Sequence, residues 1–144
     1  MILVKYAHFM LSTTQKGDVG LFVICADLVE KGYTVLLPSG GNPHYDVVIE
    51  KEGIYRRIQV KYSTEKDGVI KVRLFTVGRN GERNLHTAKN VDIFAIYEPL
   101  SKSIYYLNRG ELNNRTMFTL RMRKAKSNRT VDTHMFSDFK ELRL

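Results

Sequence analysis

The sequence contains one cysteine, Cys25, among its 144 residues, so no disulfide can form within the chain. Its longest apolar run, residues 21–26, is far shorter than the roughly 20 residues that a membrane-spanning helix needs. The first residues lack the charged start and long apolar stretch of a secretion signal. We therefore expect one globular domain in the reducing environment of the cytoplasm.

Acidic side chains are scarce relative to basic ones: 15 Asp and Glu stand against 23 Lys and Arg, giving a formal net charge of +8. A small protein this basic usually binds a polyanion such as nucleic acid. The excess is concentrated in residues 113–130, which hold six basic residues and no acidic one. A solvated basic loop is one explanation, but the interleaved Met117, Phe118, Leu120 and Met122 favour a structured basic surface.

Hydrophobic spacing divides the chain into one helix followed by short strands. Apolar residues recur with helical spacing over residues 15–31, and Gly32 is expected to end that helix. Strands are predicted at 33–37, 45–51, 54–63, 69–76, 91–97 and 103–108, with a loop over 77–90 and a short helix over 136–144. This order predicts a single α/β domain with a core of about residues 12–108 and a basic C-terminal extension, 109–144.

A predicted hairpin brings three polar side chains together. With Glu52 and Gly53 as a two-residue turn, Lys51 faces Ile54, and Asp46 then lies opposite Gln59. Facing residues of an antiparallel pair project to one side, and Lys61 shares that side because it is two residues beyond Gln59. The hairpin therefore gathers a carboxylate, an amide and an ammonium into one patch.

This trio suits phosphodiester hydrolysis. A carboxylate can hold Mg²⁺, which prefers oxygen ligands, lowers the pKa of bound water and offsets charge on the phosphate. A neighbouring lysine can orient or deprotonate that water. The alternative is a surface ion pair between Asp46 and Lys61, which would contribute less than about 1 kcal/mol.

The order Pro43, His44, Tyr45, Asp46, then Gln59, Val60 and Lys61, resembles the signature of the PD-(D/E)XK nuclease superfamily. The helix with Lys16, Gly17 and Gly20, the glycine-rich turn before Asp46 and the strand at 91–97 also match, so the resemblance covers about residues 15–108. Within the superfamily the pattern is similar to intron-encoded homing endonucleases of the cyanobacterial type, which carry Gln where most members carry Asp or Glu.

The resemblance implies a restriction-endonuclease-like core: a mixed central sheet flanked by helices, with a β-ribbon extension for DNA. It implies that Asp46 and the backbone carbonyl of Val60 hold Mg²⁺, that Gln59 replaces the second acidic ligand and that Lys61 is the catalytic lysine. Leu21 stands where the family usually has a Glu on the first helix. With a single charged ligand left, we expect an inactivated or weakened enzyme.

Basic residues beyond the hairpin are the expected DNA contacts. In the strand at 69–76, Lys71 and Arg73 alternate with apolar residues, and a ribbon of this kind fits the major groove, although a solvated strand face is the alternative. The expected DNA-binding set comprises Lys71, Arg73, Arg79, Arg83, His86, Arg121, Arg123, Lys124 and Lys126.

The resulting prediction is a Mg²⁺-dependent, sequence-specific endonuclease acting on double-stranded DNA. A domain this small covers little DNA, so we expect a homo-oligomer, and the resembled homing endonucleases imply a tetramer. Two alternatives stay open: a Holliday-junction resolvase, and a non-catalytic DNA-binding module on a degenerate nuclease fold, which Leu21 favours.

Overall fold

The computed structural model of the protein describes residues 10–113, 115–122, 134–135 and 141–142. The α-helix α1 runs over Thr13–Glu30. The strands are β1 (Thr34–Leu36), β2 (Val47–Lys51), β3 (Ile54–Tyr62), β4 (Val69–Arg73), β5 (Phe75–Val77), β6 (Arg83–Leu85), β7 (Ile93–Glu98), β8 (Ser103–Asn108), β9 (Met117–Arg121) and β10 (His134–Met135). A short 3-10 helix, Arg109–Leu112, follows β8.

Local sequence explains both ends of α1. The Ser12 side chain accepts a hydrogen bond from the Gln15 amide, and the Gln15 side chain accepts one from the Ser12 amide, which forms a capping box. At the other end Gly32 adopts a φ of 80°, a left-handed conformation that glycine allows without strain. The helix predicted for residues 15–31 is confirmed, with its start two residues earlier.

Five strands form the central sheet in the order β1-β2-β3-β7-β8. The β3–β7 pair is parallel and the other pairs are antiparallel, so the sheet is mixed. The predicted hairpin register is confirmed: Lys51 pairs with Ile54, and Val47 pairs with Ile58. Glu52 and Gly53 have φ values of 54° and 79°, as a two-residue type I′ turn requires.

Apolar clusters lie on both faces of the central sheet. On one face α1 packs Ile24 and Leu28 against residues that include Val47, Ile58 and Val60. We call this the helix-side cluster. On the other face a second sheet, ordered β10-β9-β4, contributes to a cluster of Ile70, Val72, Leu74, Phe94, Ile96, Tyr105, Leu107, Phe118 and Leu120, with Val91 and Leu112. We call this the ribbon-side cluster. Among the described residues, therefore, a helix covers one face and a small sheet covers the other.

Two regions differ from the sequence-based prediction in how their strands are divided and paired. The strand predicted at 69–76 is divided at Leu74: β4 pairs with β9, whereas β5 pairs with β6 in a separate two-stranded sheet. The predicted loop at 77–90 accordingly contains β6, and the basic stretch contributes β9 to the fold. The terminal helix predicted at 136–144 lies almost entirely outside the described residues. None of the described helices is both long and apolar enough to cross a membrane.

Candidate active site

Asp46, the residue before β2, lies against the middle of β3. Its amide donates to the Ile58 carbonyl at 2.9 Å, one residue out of the register in which Val47 pairs with Ile58, so that Asp46 and Val47 both lie opposite Ile58, as in a β-bulge. The Gln59 side-chain nitrogen donates to Asp46 Oδ2 at 2.6 Å, and the Val60 amide donates to the same oxygen at 2.7 Å. The structure therefore brings the predicted carboxylate and amide into direct contact.

The start of β2 at Val47 explains why side chains can bind the backbone of Val60. Because β2 begins at Val47, it offers no backbone partner to Val60, whose amide and carbonyl point toward that edge as those of Ile58 do. The Val60 amide is satisfied by Asp46, while its carbonyl accepts only a long 3.3 Å bond from Gln59 among the bonds described there. The side-chain nitrogen of Gln59 thus donates to two oxygens, one from Asp46 and one from the Val60 backbone.

Burial sets the charge state of this group. Burial of the half-exposed Asp46 raises the pKa of its carboxyl, and the hydrogen bond from Val60, the positive charge of Lys61 and the hydrogen bond from Gln59 offset that rise only in part. Burial likewise lowers the pKa of the Lys61 ammonium, with the negative charge of Asp46 opposing it. Each residue therefore faces a penalty for its charge that the other partly relieves.

His86 lies behind these residues, in the interior. Its ring is 1% exposed and makes edge-to-face contacts with His44, at 6.0 Å between centroids, and with Phe94, at 5.9 Å. Neither ring nitrogen makes a hydrogen bond of normal geometry. Burial and the charge of Lys61 lower the pKa of His86 to about 4, although the backbone of His44 slightly favours the charged form. His86 is therefore a neutral group next to the lysine.

The family of PD-(D/E)XK endonucleases matches residues 11–142, nearly the whole chain. The chain belongs to this family. The fold is also similar to the solved structure of a bacterial homing endonuclease, I-Ssp6803I, with a TM-score of 0.69 and 21% sequence identity over 90% of this chain and 89% of that one. A comparison with curated proteins finds no match. The restriction-endonuclease-like fold expected from the sequence is thus confirmed.

In this PD-(D/E)XK endonuclease, Leu21 lies on the helix side of the sheet, opposite to the face from which Gln59 and Lys61 project. It is half-buried and packs against the helix-side cluster, which includes Val60. Gln59 and Lys61 alternate with Val60 along β3 and pair with Phe94 and Ile96 of the ribbon-side cluster. Leu21 therefore contributes to the packing between α1 and the sheet.

The basic residues expected to bind DNA have different surroundings. Lys71 and Arg73 are exposed on β4 and alternate with the buried Ile70 and Val72, as predicted. Arg79 and Arg83 are exposed around β6, where the Arg83 guanidinium lies 5.1 Å from the centre of the Phe75 ring. Arg121 is half-buried at the end of β9 opposite Val69. Arg123, Lys124 and Lys126 lie outside the described residues.

His86 differs from the expectation of a DNA-contacting loop residue. Its amide donates to the Leu74 carbonyl at 3.0 Å, and this bond pulls the chain after β6 inward. A ring that is 1% exposed cannot contact DNA in this conformation, so we remove His86 from the DNA-binding set. The loop prediction failed there because the pairing of β5 with β6 is what turns the histidine inward.

Arg109 is a buried residue that sequence reasoning missed. It is 3% exposed, and its guanidinium donates to the backbone carbonyls of His86, at 2.5 Å, and Asn113. These bonds tie the segment after β6 to the 3-10 helix, and burial lowers the pKa of the guanidinium. A lone arginine after a strand carries no pattern that would have indicated this role.

Proposed function

We propose that the protein is a Mg²⁺-dependent, sequence-specific endonuclease that hydrolyses phosphodiesters in double-stranded DNA, and that it is a homing endonuclease acting in the cytoplasm. The observation that carries the proposal is the contact of Asp46 with Gln59 and the Val60 backbone, beside the half-buried Lys61. Membership of the PD-(D/E)XK endonuclease family supports the reaction class.

The oxygens around Asp46 fit a divalent cation, which nucleases of this family generally use. The carboxylate is desolvated and the neighbouring Val60 carbonyl accepts one long bond, so both have capacity for a further interaction. Rotation of the Gln59 amide would add a third oxygen in place of its nitrogen. No cluster of three or more His, Cys, Asp and Glu side chains occurs among the described residues, so the site would depend on Asp46 as its one charged ligand.

Mg²⁺ bound there would lower the pKa of a water and offset negative charge on the phosphate. Lys61 would orient that water or neutralise charge as it develops, and its lowered pKa favours proton transfer near neutral pH. Asp46 would bind the cation. Gln59 holds this carboxylate through a 2.6 Å hydrogen bond before the cation binds and would then turn its amide oxygen toward the cation.

DNA would approach from the ribbon side. Lys71 and Arg73 on β4, with Arg79, Arg83 and Arg121, form the described part of the proposed DNA-binding set, and Arg123, Lys124 and Lys126 complete it. Phosphate contacts from these residues would set affinity and register, while an arginine that reaches a guanine edge would add sequence preference. We propose a homo-oligomer, a dimer or tetramer, because one domain of this size covers a short DNA segment.

Leu21 favours a weakened enzyme, or a second candidate function as a DNA-binding module without catalysis. The apolar packing of Leu21 against the helix-side cluster provides no charged ligand from α1. A glutamate at position 21 would start from the helix side of β3 and reach Asp46 past the start of β2, where no strand covers Val60. Leu21→Glu should therefore raise Mg²⁺-dependent cleavage at least about tenfold, equivalent to about 1.4 kcal/mol of barrier. Leu21→Gln is the matched control, since glutamine has the size and polarity of glutamate but carries no charge.

The test of the proposal is supercoiled-plasmid cleavage by the protein and its Leu21→Glu form over a Mg²⁺ titration. Asp46→Asn and Lys61→Met, each made in both backgrounds, should lower cleavage by more than about 100-fold if they remove a metal ligand and a catalytic group. Retained DNA binding with no cleavage in any background would establish the binding module. Cleavage that survives Asp46→Asn would refute the proposed site.

A further inference from the structure

A cleft lies beyond the end of β3, between that strand, the turn that follows it and the start of β4. Its volume is about 510 Å³, within the range of small-molecule sites. Its lining residues are Ser63, Thr64, Lys66, Asp67, Val69 and Lys71. Only Lys71 among them belongs to the DNA-binding set expected from the sequence.

The cleft continues the row of side chains that contains the candidate active site. The β3–β7 ladder extends one residue past β3, because the Ser63 amide donates to the Tyr97 carbonyl at 3.0 Å. Gln59, Lys61 and Ser63 therefore project to one side, and each step of two residues covers about 6.6 Å along the strand. The cleft thus begins about one such step beyond Lys61.

Its walls are held by backbone geometry. Lys66 and Val69 exchange two backbone hydrogen bonds, at 2.9 and 3.1 Å, across a turn in which Asp67 and Gly68 have φ values of 54° and 78°. Ser63 Oγ donates to the Lys71 carbonyl at 2.9 Å and so joins the end of β3 to β4. Both lysines consequently extend from fixed backbone.

The charge of the cleft favours an anion. Lys66 and Lys71 are exposed, and neither forms an ion pair with any described residue. Asp67 is the single acidic lining residue, so the lining carries a net charge of +1. Lysine binds phosphate as a point charge, while the Val69 side chain offers an apolar surface for a deoxyribose.

We propose that this cleft binds a backbone phosphodiester of the same DNA strand that enters the candidate active site, a few nucleotides from the reacting phosphate. The inference rests on the proposed function, and it assigns Lys71 to phosphate contact in place of base readout. It also adds Lys66 to the DNA-binding residues. This phosphate contact would fix the position of the DNA strand along β3. It would thereby determine which phosphate lies at Lys61.

The test is binding of a fluorescein-labelled 30-base-pair duplex of arbitrary sequence, which suffices because phosphate contacts do not depend on sequence. Measurements use Asp46→Asn protein in EDTA, so that cleavage does not interfere. Lys66→Ala and Lys71→Ala should each weaken binding and flatten the dependence of log K on log[salt] by about 0.9. The affinity ratio between parent and variant should then shrink about 3.5-fold from 50 to 200 mM salt.

Two further variants control the result. Lys89→Ala removes an exposed lysine near the opposite end of the β3–β7 pair and should leave the salt slope unchanged. Asp67→Asn removes the opposing charge and should tighten binding, and asparagine tolerates the positive φ at this turn. Thermal melts of each variant confirm that the fold is intact.

Unchanged affinity and slope for Lys66→Ala and Lys71→Ala, or equal losses for Lys89→Ala, would overturn the cleft as a phosphate site. Weaker binding by Asp67→Asn would do the same, because it would mean that the carboxylate supports the complex. These outcomes are distinguishable from failure of the proposed function, which is measured by cleavage in the plasmid assay. Absence of any binding by the parent protein would refute both.

Discussion

Gln59→Glu tests the arrangement at Asp46 through stability, without requiring a DNA target. The Gln59 side chain is 8% exposed, and its nitrogen lies 2.6 Å from Asp46 Oδ2. Glutamate would replace this donor with a second carboxylate next to the first. Two unit charges about 4 Å apart repel by about 4 kcal/mol at an effective dielectric constant of about 20.

A penalty of that size is large against the about 5–15 kcal/mol that stabilises a typical domain. The carboxyl pair would avoid it by holding a proton, so its pKa in the folded state would rise above that in the unfolded state. The folded protein then binds more protons than the unfolded protein, and its stability increases as the pH falls. Gln59→Glu should therefore be strongly destabilised at pH 8 and recover toward pH 5.

Urea denaturation in EDTA at both pH values measures this difference. Mg²⁺ should restore stability at pH 8 because it binds the folded state, and two carboxylates hold it better than one. Gln59→Met is the matched control: it removes the hydrogen bond without adding charge, so its loss of stability should not recover toward pH 5 as strongly as that of Gln59→Glu. Equal losses for Gln59→Glu at pH 8 and pH 5, with no gain from Mg²⁺, would refute the geometry inferred for the site.

Three further predictions use the structure alone. Asp46→Asn should raise the free energy of unfolding at pH 8, and this gain should disappear as the pH falls. The reason is that burial raises the pKa of Asp46, so that its ionised form destabilises the folded state. A constant effect from pH 4 to pH 8 in urea titrations would contradict this. His86 should titrate with a pKa of about 4 by NMR and with a higher pKa in Lys61→Met, since the lysine charge contributes to the shift; an ordinary value near 6.5 would show that the ring is solvated. Gly20→Ala should stabilise the protein by about 0.5–1 kcal/mol, because an added Cβ would meet Val60 and Tyr62 at ordinary distances of 3.5 and 3.6 Å; a lowered melting temperature would show that α1 needs a closer approach.

The hairpin was predictable because its information is local. Glu52 and Gly53 determine the turn, the turn determines the register, and the two-residue period of a strand determines which side chains share a face. The pairing of β2 with β3 follows from those facts, whereas the break in register at Asp46 does not. The capping box at Ser12 and the glycine that ends α1 are local in the same way.

The second sheet was not predictable, because its strands pair across long stretches of chain. Nothing in residues 69–76 indicates that β4 takes β9 as its partner while β5 takes β6. The burial of His86 and Arg109 depends on those pairings, since their partners are Leu74 between β4 and β5, Phe94 of β7, and Asn113 after the 3-10 helix. A polar residue in an apparently exposed loop gives no sign of such burial.

The orientation of the candidate active site depends on the packing of α1. Gly20 is buried against β3, where its position leaves Val60 and Tyr62 in contact distance of the helix. Because Val60 faces the helix, Gln59 and Lys61 must face the ribbon side, where β4 brings Lys71 to the cleft beyond Ser63. A slip of one residue in β3 would turn Lys61 toward α1 and bury it among aliphatic side chains without Asp46. The packing of α1 against Val60 therefore orients Gln59 and Lys61 toward the face that carries the basic residues.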